Sequence, residues 1–406
     1  MKTTVQNAGG RSALRVAVVT ETHPPEINGV AGTVGLMVDA LCERGHDVQL
    51  VRPRQGEKGR LPADDGPDER LVPGFAIPFY RHLQMGIAPP RLLRKEWTKW
   101  RPDVVHVVTE GPLGWQAVST ARDLEIPVCS DFHTNFHSYS RHYGMGVFAN
   151  LVSRYLRTLH NRTECTMVPT AEMRACLETM GFERVDVVGR GVDSGLFSPA
   201  CRSERLRASW GCRGNETVAL YVGRLAPEKN LGLFVEAALA MREVDAELRV
   251  VLVGDGPQAA DLRARYPDFV FAGTRTGGDL AEHYASADVF VFPSVTETFG
   301  NVTLEAMASG LAVAAYDYAA ARQYLRNQSS ALLAPVHDRA AFIRIAVRLA
   351  QAAELRARLR NEARRVAEAA SWSRAFDDLE RVLRNTARAR PSAAGAVREE
   401  SAHVET

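Results

Sequence analysis

The clearest signal of the fold is the segment VFVFPSVTETFGNVTLEAMASG, residues 289–310. Its first residues are β-branched and aromatic, which predicts a buried strand that ends before Pro293. A polar loop follows, and a segment of helical period then runs from near Gly300 to about Ser309, with Gly310 as its stop signal. A strand followed directly by a helix is the unit from which parallel sheets are built.

The same alternation recurs along most of the chain. In the first predicted helix, Val30, Val34, Met37 and Leu41 recur at helical spacing, and Gly45 precedes the next strand. Because strands and helices alternate, we predict an α/β fold with parallel sheets. The predicted strands are Arg15–Thr20, Val48–Arg52, Val104–Val108, Pro127–Asp131, Thr166–Pro169 and Asp186–Val188 in the first half, and Val218–Val222, Arg249–Val253, Phe269–Phe271, Val289–Phe292 and Ala312–Ala315 in the second.

Two runs of strands predict two doubly wound, Rossmann-like domains rather than one large sheet. The predicted domains are 13–190 and 191–372, joined near Gly189–Pro199, where GRGVDSGLFSP is rich in turn residues. A ligand would then lie in the central cleft that both domains face, at the carboxyl ends of both sheets. The two ends, residues 1–12 and 386–406, are polar and lack periodicity, so we predict that they are flexible.

The composition excludes several classes of protein. The 406 residues include 50 basic and 48 acidic ones, a net charge of +2, so no overall field directs the protein to nucleic acid. No apolar run approaches the ~20 residues of a membrane span, and the beginning of the chain lacks the apolar core of a signal peptide. We therefore expect a cytoplasmic protein. The six cysteines form no C-x-x-C pair, which disfavours a zinc site and predicts reduced thiols.

Two glutamates flank the predicted helix that begins near Gly300. The first turn of this helix presents free N–H groups at the carboxyl edge of the sheet, where they form a ready anion site. Glu297 and Glu305 could accept hydrogen bonds from hydroxyls on either side of a pyrophosphate, as a nucleotide sugar offers. An isolated pair at this spacing would be ordinary surface residues, but the surroundings favour a ligand site. The predicted donor-binding residues here are Phe299, Gly300, Asn301, Val302 and Glu305.

Two cations follow another predicted strand in YVGRLAPEKN, residues 221–230. Arg224 and Lys229 lie in one loop at the carboxyl end of that strand. Positive charge suits a diphosphate leaving group there, because negative charge develops on the phosphate oxygens as the glycosidic bond breaks. The alternative is a solvated loop in which Glu228 pairs with these cations.

Glycine-containing loops follow two further strands. In THPPEINGV, residues 22–30, Gly29 would let the backbone approach a ligand, and the next helix points its N-terminus into the same cleft. This loop is not the dinucleotide fingerprint G-x-G-x-x-G, so nicotinamide chemistry is disfavoured. Gly254 begins GDGP, a turn that could also line a nucleotide pocket. A tight turn without ligand is the alternative for both loops.

Histidines cluster in and after SDFHTNFH, residues 130–137. His133 comes directly after the strand end, and His137 and His142 lie nearby. No metal is predicted, because no ligand spacing such as H-E-x-x-H accompanies them. A D-x-D motif at a strand end is also missing, and arginine and lysine in the diphosphate loop can replace the cation. We therefore predict metal-independent chemistry, with a nucleotide sugar as co-substrate and no further cofactor.

Five motifs in this order, NGV, FHTNF, GRLAPEKN, GDGP and ETFGNVTLEA, resemble those of the family 4 retaining glycosyltransferases of GT-B fold. The resemblance covers about residues 14–385. It implies that Glu297 contacts the donor sugar and Glu305 the nucleotide ribose. It also implies that Arg224 and Lys229 bind the diphosphate.

The resemblance carries three further implications. Gly29 approaches the phosphate, His133 lies beside the donor sugar, and a final helix over 373–385 crosses back to the first domain. The reaction retains the anomeric configuration by front-face attack, and an oxygen of the leaving phosphate takes the proton of the acceptor. The predicted catalytic residues are His133, Arg224, Lys229 and Glu297.

Within the family, HVVTEGPLGWQA, FHTNFHSYSRHYG and GRGVDSGLFSP most resemble bacterial GDP-mannose-dependent α-mannosyltransferases and their glycolipid-making relatives. The expected reaction transfers α-mannose from GDP-mannose to a hydroxyl of a lipid or glycan. The loop 273–278 departs from the usual pattern near the base, and Ala31 and Gly32 replace bulkier residues after NGV. The alternatives are a UDP-sugar-dependent glycosyltransferase that makes a glycolipid, a GT-B epimerase and a non-catalytic nucleotide-sugar-binding protein.

The acceptor is expected mainly on the first domain, which also offers two candidate membrane surfaces. Apolar residues repeat at helical spacing from Phe148 to Leu159, with Arg154 and Arg157 on other faces. Such a helix could contact the anionic inner face of the cell membrane peripherally, although packing of its apolar side into the domain is favoured. A second stretch, residues 91–100, is basic and aromatic.

Overall fold

The structure, a computed structural model, describes five ranges of the chain: residues 12–26, 28–54, 66–77, 80–133 and 146–389. The two predicted flexible ends lie outside these ranges except for Ser12 and residues 386–389. The predicted positions His137 and His142 also lie outside the described residues.

Seven parallel strands form the first sheet, in the order β3-β2-β1-β6-β7-β8-β9. The strand β1 lies between β2 and β6 and pairs with both, so the strand order reverses at β1. Ligands of open α/β sheets bind at such a switch point, outside the carboxyl ends of the strands. The strands are β1 (Arg15–Val19), β2 (Asp47–Pro53), β3 (Asp68–Val72), β6 (Val104–Val107), β7 (Val128–Asp131), β8 (Cys165–Val168) and β9 (Val185–Val187), and β4 (Gly74–Ile77) and β5 (Tyr80–Gly86) form a separate antiparallel hairpin.

Six parallel strands form the second sheet, in the order β12-β11-β10-β13-β14-β15. The strand β10 pairs with both β11 and β13, so this sheet has a switch point at β10. These strands are β10 (Val218–Val222), β11 (Arg249–Val253), β12 (Val270–Gly273), β13 (Val289–Phe292), β14 (Ala312–Tyr316) and β15 (Leu332–Ala334).

Helices alternate with these strands and bury both faces of the sheets. In β1, Val16 and Val18 belong to one buried cluster while Ala17 and Val19 belong to another, because successive side chains point to opposite faces. The described helices are α1 (Gly29–Glu43), α2 (Pro90–Trp100), α3 (Pro112–Asp123), α4 (Gly146–His160), α5 (Ala171–Thr179), α6 (Glu204–Ser209), α7 (Leu231–Val244), α8 (Ala259–Arg265), α9 (Gly277–Ala285), α10 (Asn301–Ala308), α11 (Ala319–Tyr324), α12 (Arg339–Gln351), α13 (Ala353–Ala369) and α14 (Trp372–Arg388).

The predicted α/β class and the eleven predicted strands are confirmed, with ends that differ by one or two residues. Sequence analysis missed four strands: β3 and β15, which lie at outer edges of the two sheets, and β4 and β5, which form the separate hairpin. The edge strand β3 reads DERLV, so its charges resembled a solvated loop, while β15 has only three residues. The charges therefore hid β3, whereas β15 is apolar and buried but too short for its pattern to stand out.

The final helix, α14, packs on the first domain although it follows the second in sequence. Leu379, Val382 and Leu383 join the buried cluster of Val16 and Val18. The helix extends to Arg388, three residues beyond its predicted end at 385, and its chain crosses back next to the interdomain join. A Cβ at Gly191 would lie 2.3 Å from the backbone nitrogen of Trp372, so the close approach requires glycine.

Candidate active site

A cleft runs between the carboxyl ends of the two sheets, where the sequence places the ligand. Its first wall is formed by residues of the first domain and its second wall by residues of the second domain. The space between the two walls measures about 3140 Å³. Pockets for one small ligand usually measure about 300–1,000 Å³, so this cleft has room for a donor and an acceptor together. All eleven predicted site residues line it: Gly29, His133, Arg224, Lys229, Gly254, Glu297, Phe299, Gly300, Asn301, Val302 and Glu305.

Lys229 and Glu297 form an ion pair at the end of the second sheet. The Lys229 Nζ lies 2.5 Å from the Glu297 Oε1, and the Ser294 hydroxyl donates to the same oxygen at 2.6 Å. Burial opposes ionisation of this carboxyl, but the ammonium and the hydroxyl outweigh it and hold the pKa of Glu297 below its ordinary value. The carboxylate is therefore charged at neutral pH and fixed in orientation before any ligand binds.

Glu305, eight residues further on, has the opposite electrostatic environment. Its carboxyl lies on α10, and burial raises its pKa to about 7, opposed by the Tyr284 hydroxyl, which donates to Oε2 at 2.9 Å. No cation balances it among the described residues. This carboxyl can therefore change its protonation near neutral pH, whereas Glu297 cannot.

The N-termini of α1 and α10 approach each other across the cleft. Gly300 holds a left-handed conformation with φ 92° before α10, a geometry that glycine adopts without strain. The Asn301 amide donates to the Thr33 hydroxyl at 3.4 Å, which joins the two helices. No described protein atom lies within 4 Å of a Cβ built at Gly29, so packing does not explain that glycine. Free N–H groups and open space suit a phosphate at this point.

Arg224 and Gly254 lie at neighbouring strand ends. Arg224 is 46% exposed at its side chain and pairs with Glu228, the partner that the alternative interpretation gave it. Gly254 follows β11, and a Cβ there would lie 2.0 Å from the carbonyl oxygen of Gly223. The Arg224 side chain borders the cleft. Gly254 is required because the ends of β10 and β11 approach each other closely.

Phe299 has a packing role in addition to its place in the cleft. Its side chain is 5% exposed and meets the Tyr324 ring edge to face, with the centroids 6.0 Å apart. The Val302 side chain is half-buried against the same core. The ring of Phe299 therefore anchors the loop that presents Glu297, and only part of the residue borders the ligand space.

His133 belongs to a buried polar cluster on the first wall. Its Nε2 lies 3.4 Å from Asp131, and the His106 Nε2 lies 3.3 Å from the other oxygen of the same carboxylate. Burial opposes ionisation of Asp131, but the two imidazoles hold its pKa far below the ordinary value. The Thr298 hydroxyl donates to the His133 carbonyl at 3.0 Å across the cleft, so this histidine directly faces the Glu297 loop.

Three charged residues of the first wall were missed in the sequence. Glu21 follows β1, Glu110 follows β6 and Arg190 follows β9. The Glu21 carboxyl accepts from the Leu113 N–H at 3.1 Å, and burial raises its pKa to about 7. The available signal was their shared position, since each comes within three residues of a strand end at the switch-point side of a parallel sheet.

The two candidate membrane surfaces differ in the structure. On α4, Leu151 and Val152 are 62% and 42% exposed, while Leu156 and Leu159 are buried. On α2 the aromatic side chains turn inward, since Trp97 is fully buried and donates to Gln49 at 3.1 Å. Only the first surface therefore presents apolar side chains. Within the described ranges, the structure has no helix that meets the length and hydropathy of a membrane span.

Histidine, cysteine and carboxylate side chains in the described part of the chain form no cluster suited to a metal ion. The six cysteines, all within that part, are free thiols, as predicted.

Two parallel-sheet domains with a cleft at their carboxyl edges define a GT-B glycosyltransferase fold. A solved structure of similar fold is Anabaena HepE in complex with UDP-glucose, with a TM-score of 0.73 and 17% identity, covering 92% of this chain and 100% of that one. Residues 27–196 match the family described as Glycosyltransferase Family 4, and residues 216–352 match the family described as Glycosyl transferases group 1.

Two relatives extend this result to most of the chain. The GDP-mannose-dependent alpha-mannosyltransferase of Mycolicibacterium smegmatis is 37% identical over 80% of this chain and 85% of its own length. The alpha-monoglucosyldiacylglycerol synthase of Streptococcus pneumoniae is 27% identical over 77% of this chain and 73% of its own. This chain belongs to the family 4 glycosyltransferases, and the resemblance seen in its motifs is confirmed.

Proposed function

We propose that this glycosyltransferase transfers α-mannose from GDP-mannose to a hydroxyl of a lipid or glycan, with retention of configuration. The observation that carries the proposal is the 37% identity to a relative of that name over 80% of the chain. The half-buried Lys229–Glu297 pair gives the proposal a chemical site, and the neighbouring Thr298 hydroxyl donates to the His133 carbonyl across the cleft.

In this proposal the donor lies along the second wall. Arg224, Lys229 and the N–H groups at the start of α10 bind the diphosphate, and Gly29 leaves space for it on the opposite side. Glu305 accepts hydrogen bonds from the ribose hydroxyls. Glu297 holds the donor sugar against His133, with both residues fixed by their own partners.

The proposed chemistry needs no protein nucleophile. The acceptor hydroxyl attacks the anomeric carbon on the face from which GDP leaves, the bond to the phosphate oxygen breaks, and that oxygen takes the proton of the hydroxyl. Negative charge grows on the diphosphate as the bond breaks. Lys229, Arg224 and the helix N-termini stabilise that charge more in the transition state than in the ground state, which lowers the barrier. These two cations make the transfer independent of a metal ion.

The acceptor is proposed to bind the first wall at a membrane surface. Leu151 and Val152 present apolar side chains beside the exposed Arg154, and Val152 also borders the cleft. Such a surface suits peripheral contact with an anionic bilayer, where a lipid acceptor would enter the site.

The first experiment is calorimetric titration of the protein with GDP and with UDP, each with and without a chelator. We expect preferential GDP binding that the chelator does not change. Transfer of labelled mannose from GDP-mannose to a lipid extract then tests the reaction. Binding of neither nucleotide would overturn the donor site.

The second candidate is a UDP-sugar-dependent glycolipid synthase, favoured by the similarity to alpha-monoglucosyldiacylglycerol synthase. Preference for UDP in the same titration would establish this candidate and reject GDP-mannose. A chelator-sensitive affinity would reject metal independence while leaving the nucleotide preference intact.

A further inference from the structure

The loop that carries Glu297, residues 293–299, has no backbone hydrogen bonds of its own. All of its residues lie in the described part of the chain, and no backbone hydrogen bond joins any two of them. The loop lies between β13 and α10 and belongs to neither, so no regular ladder fixes its backbone. The place of the Glu297 carboxylate in the cleft therefore depends on contacts that other segments make with the loop.

One of these segments is 317–320, which follows β14 of the same sheet. The Tyr318 hydroxyl donates to the Glu297 carbonyl at 3.0 Å, and the Ala320 N–H donates to the Phe299 carbonyl at 2.9 Å. A small cavity of about 10 Å³ lies between the loop and this segment and is lined by residues of both. Because a void removes packing contacts, the loop beside Glu297 depends more strongly on these two hydrogen bonds.

The backbone of this supporting segment is strained. Ala319 has a φ of 50°, a left-handed conformation that a residue with a Cβ rarely adopts. The residue is buried between the two hydrogen-bonding positions, Tyr318 and Ala320. Such strain persists only where the surrounding structure holds it, and it concentrates at functional sites. The segment is therefore a fixed support for the loop.

Tyr318 supports the loop without meeting the ligand space. It is absent from the described residues that line the cleft, and its ring is half-buried against the core of the second domain. Its hydroxyl binds the main chain of Glu297, while Lys229 and Ser294 hold the carboxylate of the same residue. Removal of the Tyr318 hydroxyl would release the backbone end of Glu297 and leave the ion pair in place.

We propose that Tyr318 is a positioning residue for glycosyl transfer, which holds the peptide of Glu297 so that its carboxylate meets the donor sugar in the productive orientation. A small misplacement of such a group lowers the rate even when the altered residue is outside the reacting centre. The inference rests on the proposed function, because it takes Glu297 as the contact to the donor sugar. The proposed diphosphate contacts lie on Arg224, Lys229 and α10, so nucleotide affinity should not depend on Tyr318.

The test is Tyr318→Phe, which removes the hydroxyl and keeps the ring. We expect kcat for mannose transfer from GDP-mannose to fall about 10-fold, the size of effect that one lost hydrogen bond can have. The affinity for GDP, measured by calorimetry, should stay the same. The matched control is Tyr266→Phe, because Tyr266 is another half-buried tyrosine of the second domain, stacks on Phe269 and does not line the cleft. It should change neither quantity.

A double-mutant cycle separates positioning from a general structural role. If Tyr318 acts through the Glu297 carboxylate, Tyr318→Phe should change kcat less than about twofold in a protein that already carries Glu297→Ala. An equal loss of kcat in both backgrounds would overturn the positioning role, and so would an unchanged kcat in Tyr318→Phe alone. A loss of GDP affinity that matches the loss of kcat would show a general disturbance of the second domain and would also overturn it.

The unmodified protein distinguishes failure of this inference from failure of the proposed function. Absence of GDP binding or of mannose transfer in that protein would defeat the proposed function, and the role of Tyr318 with it. When both are present, the two tyrosine variants and the cycle decide the role of Tyr318 alone. Thermal midpoints of all variants confirm that the compared proteins are folded.

Discussion

The two walls of the cleft differ in how they are assembled. The second wall takes its cations and glutamates from two short segments, residues 224–229 and 297–305, which are recognisable as motifs in the sequence. The first wall takes Glu21, Glu110 and Arg190 from the ends of three separate strands. A diphosphate site can therefore be built from local motifs, whereas the proposed acceptor wall exists only after the sheet has formed.

Two glutamates of the second wall differ in the electrostatic environment of their carboxyl groups. Glu297 and Glu305 are the same residue type on one loop and helix, yet the pKa of the first is lowered and that of the second is raised to about 7. Lys229 accounts for the difference, because it neutralises one carboxylate and not the other. The motif specifies the residues, and their neighbours specify the charge.

The largest expected effect comes from breaking the ion pair on the second wall. Lys229→Ala should lower transfer about 100-fold and weaken GDP binding, because a donor to the developing phosphate charge is lost. Glu297→Ala should lower transfer by a similar factor while GDP affinity stays the same or rises, since the ammonium is released. Both are measured by turnover with GDP-mannose and by calorimetry.

Lys95→Ala, on the exposed face of α2, is the control for loss of a lysine. Unchanged turnover in both Lys229→Ala and Glu297→Ala would contradict the assignment of this wall to the donor.

The next effect concerns pH and distinguishes the two glutamates. A carboxyl whose pKa is raised by folding destabilises the folded protein increasingly as pH rises from its unfolded-state pKa, 4.5, to its folded-state pKa, about 7. Glu305→Gln should therefore stabilise the protein by about 1 kcal/mol at pH 5 and about 3 kcal/mol at pH 8. Glu297 has a lowered pKa and contributes stability above its unfolded-state pKa that is lost toward acid. Glu297→Gln should therefore destabilise the protein at pH 8.

The free energy of unfolding in urea, measured between pH 5 and pH 8 for the unmodified protein, Glu305→Gln and Glu297→Gln, checks that the two substitutions act in opposite directions. If both substitutions moved the stability in the same direction at pH 8, the proposed charge difference would be wrong.

A smaller effect is expected where the two walls meet at the diphosphate. Gly29→Ala places a methyl group in space that no described protein atom occupies, so the fold should be kept or stabilised by up to about 1 kcal/mol. GDP affinity should fall about 10-fold because the methyl group competes with the phosphate. Thermal midpoints and GDP titrations separate these outcomes.

The matched control is Gly232→Ala on α7, a position equally free of neighbours and away from the cleft lining. Equal GDP affinity in the two variants would remove Gly29 from the donor site.

The smallest effect concerns the surface beside the first wall. The double variant Leu151→Gln, Val152→Gln should reduce co-sedimentation with anionic vesicles about fivefold at low salt, because two exposed apolar side chains are lost. Leu239→Gln, which changes a leucine that is 41% exposed on the second domain, should have no effect. Absence of vesicle binding by the unmodified protein would reject peripheral contact altogether.

The α/β class, eleven of the strands and the family could all be predicted from the amino-acid sequence. These predictions were possible because buried parallel strands are continuous apolar runs, and because the donor loops are contiguous segments at strand ends. The helix around Glu305 was predicted to begin near Gly300, and the structure begins it at Asn301. The edge strand β3 escaped because its sequence is charged, and β15 escaped because it has only three residues, although these are apolar and buried.

Contacts between charged side chains, in contrast, depend on how the two sheets pack. The tertiary structure paired Lys229 with Glu297 across 68 positions in sequence, left Glu305 without a described cation, and brought Arg190 to the cleft near Asp131. Spacing along the chain carries no information about these contacts, because they join different strand ends and depend on burial. The physical reason is that a side chain's charge and partner are properties of its surroundings, which exist only once the two sheets have packed.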